Sequence, residues 1–329
     1  MPNTEPRRHH YIPQCYLKGF ATGSGKKTRI QVASFEAQNW FETHPKNIAH
    51  ERDFLRIDAE GYEPYAIEKE MASLESEIAN ALRNIEQTLR FEGKDRNTLL
   101  NFIALLAVRS PRRREHWRKI RDQVARRTLD LALRSKEMWE SQMQHMREAG
   151  REVNDGVTYE QMKDFHERGE YDIPVAREWH IQTEFHVSGT VLQALGKRQW
   201  SMYVTNDKLG PFVTCDQPVS LTWLYPEKVP PMFRSSPGHA MRDTQIYVPI
   251  SSRLALLGEF DGEEGTFPAL PNVVGMGNVH MIEHAAAQLY TIKQSFMYFG
   301  PPLALYQDSH FMKRFGAEKR RREASSPSA

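Results

Sequence analysis

Two adjacent histidines open a dense local motif, His9-His10-Tyr11-Ile12-Pro13-Gln14-Cys15-Tyr16-Leu17-Lys18-Gly19-Phe20. Imidazoles titrate near neutrality and ligate metals, so this pair could present nitrogen to a metal or a phosphate. Neighbours on a strand point to opposite faces, so the pair has no ligand spacing of its own. The plainer alternative is a segment that docks aromatic side chains on the core. A second feature is the run FVTCDQPV over residues 212–219, where Asp216 ends an apolar strand and a proline turns the chain. A carboxylate there suits a metal ligand or a general base. It equally suits an Asx turn, in which the side chain bonds nearby backbone N–H groups.

Arg109 closes a nearly all-apolar helix and is followed by Ser110 and Pro111. A buried guanidinium must be paired or functional. Glu68 and Glu75, two turns apart on one helix face, are its expected structural partners. His280-Met281-Ile282-Glu283-His284 matches the HxxEH string of inverted zinc peptidases. That chemistry needs a third ligand from further along, and the plainer reading is a polar helix face. His180, Glu184 and His186 form another helical set of small weight.

The span 109–151 carries thirteen Lys/Arg against six Asp/Glu, with Arg112, Arg113, Arg114, Arg118 and Arg121 crowding its start. Lys319, Arg320, Arg321 and Arg322 add a second basic run. Such a stripe can track a phosphate backbone, with Trp117 as a stacking platform. Its alternative is a solvated face laced with ion pairs, which Glu115 and Asp122 favour.

The elements that must position these groups follow from periodicity. Residues 9–57 lean to strands, with 28–35 alternating as one strand and Trp40 and Phe41 starting another. Residues 64–195 are helical. Met71, Leu74, Ile78, Leu82, Ile85 and Leu89 mark one helix face, ended by Gly93. Asp95 is the expected N-cap of the next, buried helix, which Pro111 stops. One long helix is expected over 112–149, a short one capped by Thr158, and another over 174–195. Residues 198–299 are β-rich. They hold a hairpin of 200–205 with 211–214, a strand at 219–224, a pair at 246–249 and 254–257, and a helix over 275–290. A last strand is expected at 296–299. The order gives an α+β fold, a helical layer on a mostly antiparallel sheet, with the N-terminal segment joining the C-terminal β-rich part. One domain over 1–310 is expected, with a basic C-terminal end and then a disordered tail over 311–329.

Composition bounds the class. The chain has 329 residues, 40% hydrophobic and 26% charged, enough for a real core. Two cysteines, Cys15 and Cys215, and a charged start without an apolar run point to the cytoplasm rather than export. No stretch approaches a membrane span. A net charge of +2 singles out no polyanionic partner. Walker, Rossmann, CxxC and GxSxG strings are absent from the sequence.

Taken together these segments resemble the DUF4238 domain proteins, a family without an established activity. The resemblance runs from HHYIPQCYLKGFA (9–21) through NIAHERDFL (47–55), the helix with Glu68 and Glu75, and Arg109 with Pro111. It continues at FVTCDQPV, where Cys215 and Gln217 replace the family's usual serine and asparagine, and at IYVPISSRLALLG (246–258) and Asn278. It singles out His9, His10, Pro13, Arg109, Asp216 and Asn278, and lowers the HxxEH reading.

Imidazole, carboxylate, guanidinium and carboxamide together suit phosphodiester cleavage or a related hydrolysis. The expectation is a nuclease-type hydrolase, acting in bacterial defence or as a toxin. His9 or His10 would meet Asp216 and Asn278. His10 and Asp216 would hold a divalent metal (Mg, Mn or Zn) or work as an acid/base pair. Arg109 would hold an anion. Arg112, Arg113, Arg114 and Trp117 would bind nucleic acid. The competing expectation is a non-catalytic module for nucleic acid or protein, with His, Arg and Asp in a structural network. The two separate on whether these groups line an open cleft or are closed and satisfied.

Overall fold

A computed structural model describes residues 7–154, 156–300 and 303–315. The basic run at 319–322 lies outside the described residues. The chain divides into two compact units. One comprises residues up to Ser110 and from Ile181 onward; the other is Pro111–His180.

The first unit opens with β1 (Arg8–His10), the one-turn helix α1 (Gln14–Leu17), β2 (Ile30–Ser34), β3 (Asn39–Thr43) and β4 (His50–Arg52). Helices α2 (Ala66–Thr88) and α3 (Gly93–Val108) follow. The second unit holds α4 (Pro111–Ala132), α5 (Lys136–Glu148) and α6 (Tyr159–Arg168). Helix α7 (Arg177–Gly196) returns the chain to the first unit. There follow β5 (Gln199–Val204), β6 (Thr214–Cys215), β7 (Ser220–Trp223), β8 (Thr244–Pro249), β9 (Leu254–Glu259) and β10 (Gly265–Pro268). Helix α8 (Pro271–His284), β11 (Gln288–Thr291), β12 (Phe296–Gly300) and β13 (Ala304–Asp308) complete it.

The fold is α+β. One sheet has the order β10-β5-β9-β8-β7, antiparallel except for the β10–β5 pair. A second, fully antiparallel sheet has the order β3-β2-β11-β6. The N-terminal segment therefore joins the C-terminal strands directly. Helix α2 buries Met71, Ile78, Ala81 and Ile85 on one face. Helix α3 is apolar nearly all round and is buried from Leu99 to Val108, save exposed Asn101. One core gathers Ile12, Tyr16 and Phe20 with Phe102, Ile103, Trp200, Val248 and Leu256. Another surrounds α8, where Val274, Met281 and Ile282 meet Phe212, Phe296 and Phe311. Each such side chain contributes about 1.5–3 kcal/mol on leaving water.

Several local expectations need correction. Helix α2 ends at a left-handed Leu89 (φ 54°), and Gly93 starts α3 instead of ending its predecessor. Glu92 is the N-cap of α3, and Asp95 lies in its first turn, where a carboxylate still favours the helix dipole. The expected helix over 112–149 breaks, because the Ser135 hydroxyl accepts the Met138 amide and caps α5. Thr158 does cap α6, in a reciprocal box with Gln161.

The expected hairpin of 200–205 with 211–214 does not form. Asn206 Oδ1 accepts the amides of Lys208 and Leu209 and turns the chain as predicted. The next amides are then claimed elsewhere, Phe212 by the Ser252 carbonyl and Val213 by Asn278. Strand β5 pairs with β9, and β6 crosses to β11. The helix expected over 275–290 stops at His284, and β11 follows. The β12–β13 hairpin extends the fold beyond the last expected strand. No helix among the described residues is long and apolar enough to cross a membrane.

Candidate functional site

Strand β1 pairs with β4 in the register His9↔Glu51 and His10↔His50. The two imidazoles therefore take opposite faces, as strand alternation requires. His9 is fully buried, and its Nδ1 accepts the Leu55 amide at 2.8 Å. A ring that accepts at Nδ1 carries its hydrogen on Nε2. Tyr65 stands edge-on to it at 5.9 Å between centroids. His10 is half-buried, edge-on to His50 at 5.5 Å. Its Nε2 is enclosed without a hydrogen-bond partner among the described residues. Burial, and then the neighbouring His50, push its pKa down to about 4. His10 is neutral at physiological pH.

The rest of the motif anchors this strand. The Tyr11 amide reaches the Ala49 carbonyl at 3.0 Å. Pro13 precedes α1, and its carbonyl accepts the Tyr16 amide at 3.1 Å. Tyr16 is wholly buried; its hydroxyl donates to the Pro249 carbonyl at 2.6 Å and pairs with Thr214 Oγ1 at 2.8 Å. One phenol thus ties α1 to both sheets.

Asp216 follows β6 and is buried. Its Oδ1 accepts the Ala286 amide at 2.8 Å; its Oδ2 accepts Ala287 at 2.7 Å and Gln288 at 3.2 Å. Burial pushes its pKa above the ordinary carboxylate value, and the three amides pull the other way. These same bonds end α8 and start β11. Asn278 is wholly buried in α8, with all its polar capacity toward this segment engaged. Its Oδ1 accepts the Val213 amide at 2.8 Å, and its Nδ2 donates to the carbonyls of Pro211 (3.0 Å) and Met297 (2.8 Å).

Arg109 is the C-cap of α3 and only 2% exposed. Its Nη1 donates to Met71 Sδ at 3.3 Å. It lies in electrostatic reach of Glu68 and Glu75, the pair expected from their spacing. Both glutamates are half-buried. Burial raises both carboxyls, while Arg109 opposes the rise; His9 also acts on Glu68, and Lys18 on Glu75. Glu68 thus lies in electrostatic reach of His9 and Arg109, and Glu75 of Arg109, Glu68 and Lys18.

It gives His10, Asp216 and Asn278 separate partners. Three amides already take most of the roughly four acceptor sites of the Asp216 carboxylate. Tyr11 provides the link toward Asp216. Burial, Asp216 and Glu51 raise its phenol, and it lies beside the Tyr290 hydroxyl, which donates to Gln288 Oε1 at 3.0 Å. Among the described residues, no three His, Cys, Asp or Glu side chains gather to hold a metal ion. His280 is half-buried against Tyr247 (ring centroids 5.6 Å), Glu283 is exposed and His284 half-buried. Both thiols are free, and burial raises each.

In the second unit, Arg112 is exposed and Arg113, Arg114 and Trp117 are half-buried at the start of α4. Burial and Arg112 lower Arg113. The predicted ion pairs form, with Arg118 and Lys119 on Glu115, and Arg126 on Asp122.

Sequence reasoning missed Arg198. It is 1% exposed and donates to the carbonyls of Thr244 (2.7 Å), His239 (2.8 Å) and Gly258 (3.1 Å), and to Thr244 Oγ1 (2.7 Å). Burial lowers its pKa to about 10. A cation directly before a buried tryptophan strand was the available signal.

No curated protein and no solved structure matches this chain. The family described as "Protein of unknown function (DUF4238)" matches residues 8–295. With the motif of β1 and α1, the α2 glutamates, Arg109 and Asp216 all inside that span, the chain belongs to the DUF4238 family.

Proposed function

We propose that this protein is a non-catalytic binding module that presents α4 to an acidic protein surface. The observation that carries this is an exposed row on α4. Ile120 (39% exposed), Val124 (59%) and Leu131 (47%) lie on one helical face. Trp117 continues the row, and Arg127 and Arg121 border it. Helix α4 has eight Lys/Arg against three Asp/Glu. Its opposite face is occupied by the Arg126–Asp122 pair. An apolar stripe with cationic borders suits an amphipathic partner with carboxylates at its edges. Closure of His9, Asp216 and Asn278 by backbone bonds supports a structural role for them.

The test is fluorescence anisotropy of the full chain with three probes: an acidic amphipathic helical peptide, single-stranded RNA and duplex DNA. The peptide is expected to bind, and Val124→Glu with Leu131→Glu to weaken it at least about tenfold, or 1.4 kcal/mol. Nucleic-acid binding that falls steeply with salt and ignores Val124 would replace this reading with a nucleic-acid module.

A second reading, hydrolysis of nuclease type, draws on the raised carboxyls of Glu68 and Glu75 beside Arg109. Incubation with RNA and plasmid in Mg²⁺, Mn²⁺ or Zn²⁺ tests it, beside Glu68→Gln and Asp216→Ala. Cleavage lost in Glu68→Gln with the fold retained would support it. No cleavage in any metal would leave the binding module.

A further inference from the structure

An open cleft of about 370 Å³ lies between α1, α2 and the turn from β8 to β9. That is within the usual size of small-ligand sites, roughly 300–1,000 Å³. Ala79 and Leu82 of α2 and Ile250 of the turn give it an apolar wall. Cys15 adds a neutral thiol, since burial pushes its pKa up to about 12.

The rim is cationic. Lys18 and Arg83 are both exposed and both line the cleft. Arg83 gives one N–H to Asn80 Oδ1 at 3.2 Å, which leaves most of its fork toward solvent. Glu75 is in electrostatic reach of Lys18 from outside the lining. The lining carboxylate is Glu86, and it is already neutralised. It accepts the Ser251 hydroxyl at 2.7 Å and pairs with Arg253 at 3.0 Å.

A backbone bond ties two of the walls together. The Ser252 amide donates to the Gly19 carbonyl at 2.8 Å. A Cβ on Gly19 would stand 3.3 Å from the Ile250 carbonyl and from Ser251, so the motif's glycine permits this close approach. Ser252 itself lines the cleft.

We infer that this cleft binds a small organic acid. Lys18 and Arg83 hold its carboxylate, the Ser252 hydroxyl donates to it, and its apolar body lies on Leu82 and Ile250. A point charge, a planar fork and an apolar wall within one cleft fit a carboxylate on a hydrocarbon better than a bare inorganic anion. This site shares no residue with the α4 face, so it stands apart from the proposed function.

Titration calorimetry on the full chain tests the inference, with benzoate, hexanoate, benzamide and inorganic phosphate as probes. Benzoate or hexanoate is expected to bind, and benzamide to bind at least tenfold more weakly. Lys18→Met and Arg83→Met, both at exposed positions, are each expected to weaken the acid about tenfold, and Lys18→Arg to restore it. Ala79→Trp, with an unchanged circular dichroism spectrum, is expected to abolish binding by filling the cleft. Three outcomes would overturn the inference. These are no binding of either acid at millimolar concentration, benzamide or phosphate binding as tightly as the acids, and affinity unmoved by the Lys18 and Arg83 substitutions.

Discussion

The Val213 amide donates to Asn278 Oδ1 at 2.8 Å, across 65 residues of sequence and inside a fully buried site. The same carboxamide holds the carbonyls of Pro211 and Met297. Asn278→Leu would strand all three backbone groups. Each stranded group costs about 1–3 kcal/mol, so the substitution is expected to remove at least about 3 kcal/mol. Asn278→Asp keeps the acceptor but sets a buried carboxylate oxygen against the Pro211 and Met297 carbonyls, and should cost at least as much. Urea midpoints of the two variants check the order.

Arg198 is predicted to be a structural cation. Its guanidinium also lies 4.3 Å from the Phe260 ring, in addition to its carbonyl partners. Arg198→Met takes the guanidinium donors from the buried Thr244 and Gly258 carbonyls and from the half-buried His239 carbonyl, and should cost about 3 kcal/mol. Arg198→Lys recovers part of this, because an ammonium cannot match the fork. Thermal melts of both variants separate loss of charge from loss of geometry.

Removing a hydroxyl should cost nothing at Tyr247. Its Oη is buried without a hydrogen-bond partner among the described residues. Tyr247→Phe is therefore expected to be neutral or to stabilise by up to about 1 kcal/mol. Gly277 faces this phenol: an added Cβ would sit against the hydroxyl and 2.6 Å from Cζ. Gly277→Ala is expected to cost about 1–3 kcal/mol by overpacking. The double variant should recover part of the loss, which a double-mutant cycle on chemical unfolding measures.

Acid should weaken the β1–β4 region through His10. Its folded pKa is about 4 against an ordinary 6.5. Between those values the unfolded chain binds the proton more readily, so stability is full above about 6.5 and falls as pH drops toward 4. His50, which burial and Arg8 also depress, acts in the same direction. Glu68 and Glu75 act oppositely, because raised carboxyls favour the folded chain on the acid side. The informative quantity is therefore the difference between the parent chain and His10→Gln. The parent should lose on the order of 1 kcal/mol more than the variant on going from neutral pH to near pH 5, after allowance for solvent screening.

Much of the architecture was legible in sequence. Periods of three and four located α2, and the all-apolar run located buried α3. The spacing of Glu68 and Glu75 anticipated their relation to Arg109. Non-local choices were not legible. Nothing near Asn206 reveals that the amides after its turn bond Ser252 and Asn278, which sends β6 to another sheet. Nothing near His284 reveals that Asp216, some 70 residues earlier, takes the next amides and stops the helix. The candidate site shows the same limit. His9 and Asp216 carry reactive side chains, but their partners are backbone N–H groups, which no residue type announces.

The pairing of β2 with β11 also bears on how the chain is made. Ser34 stands opposite Gln288, so the strand emerges from the ribosome about 250 residues before its neighbour. At roughly 5–20 residues per second, that is a wait on the order of ten to fifty seconds. Throughout it, IQVAS has only β3 beside it and one open edge, the state most prone to pairing with another nascent chain. No fragment that stops short of β11 can close the four-stranded sheet.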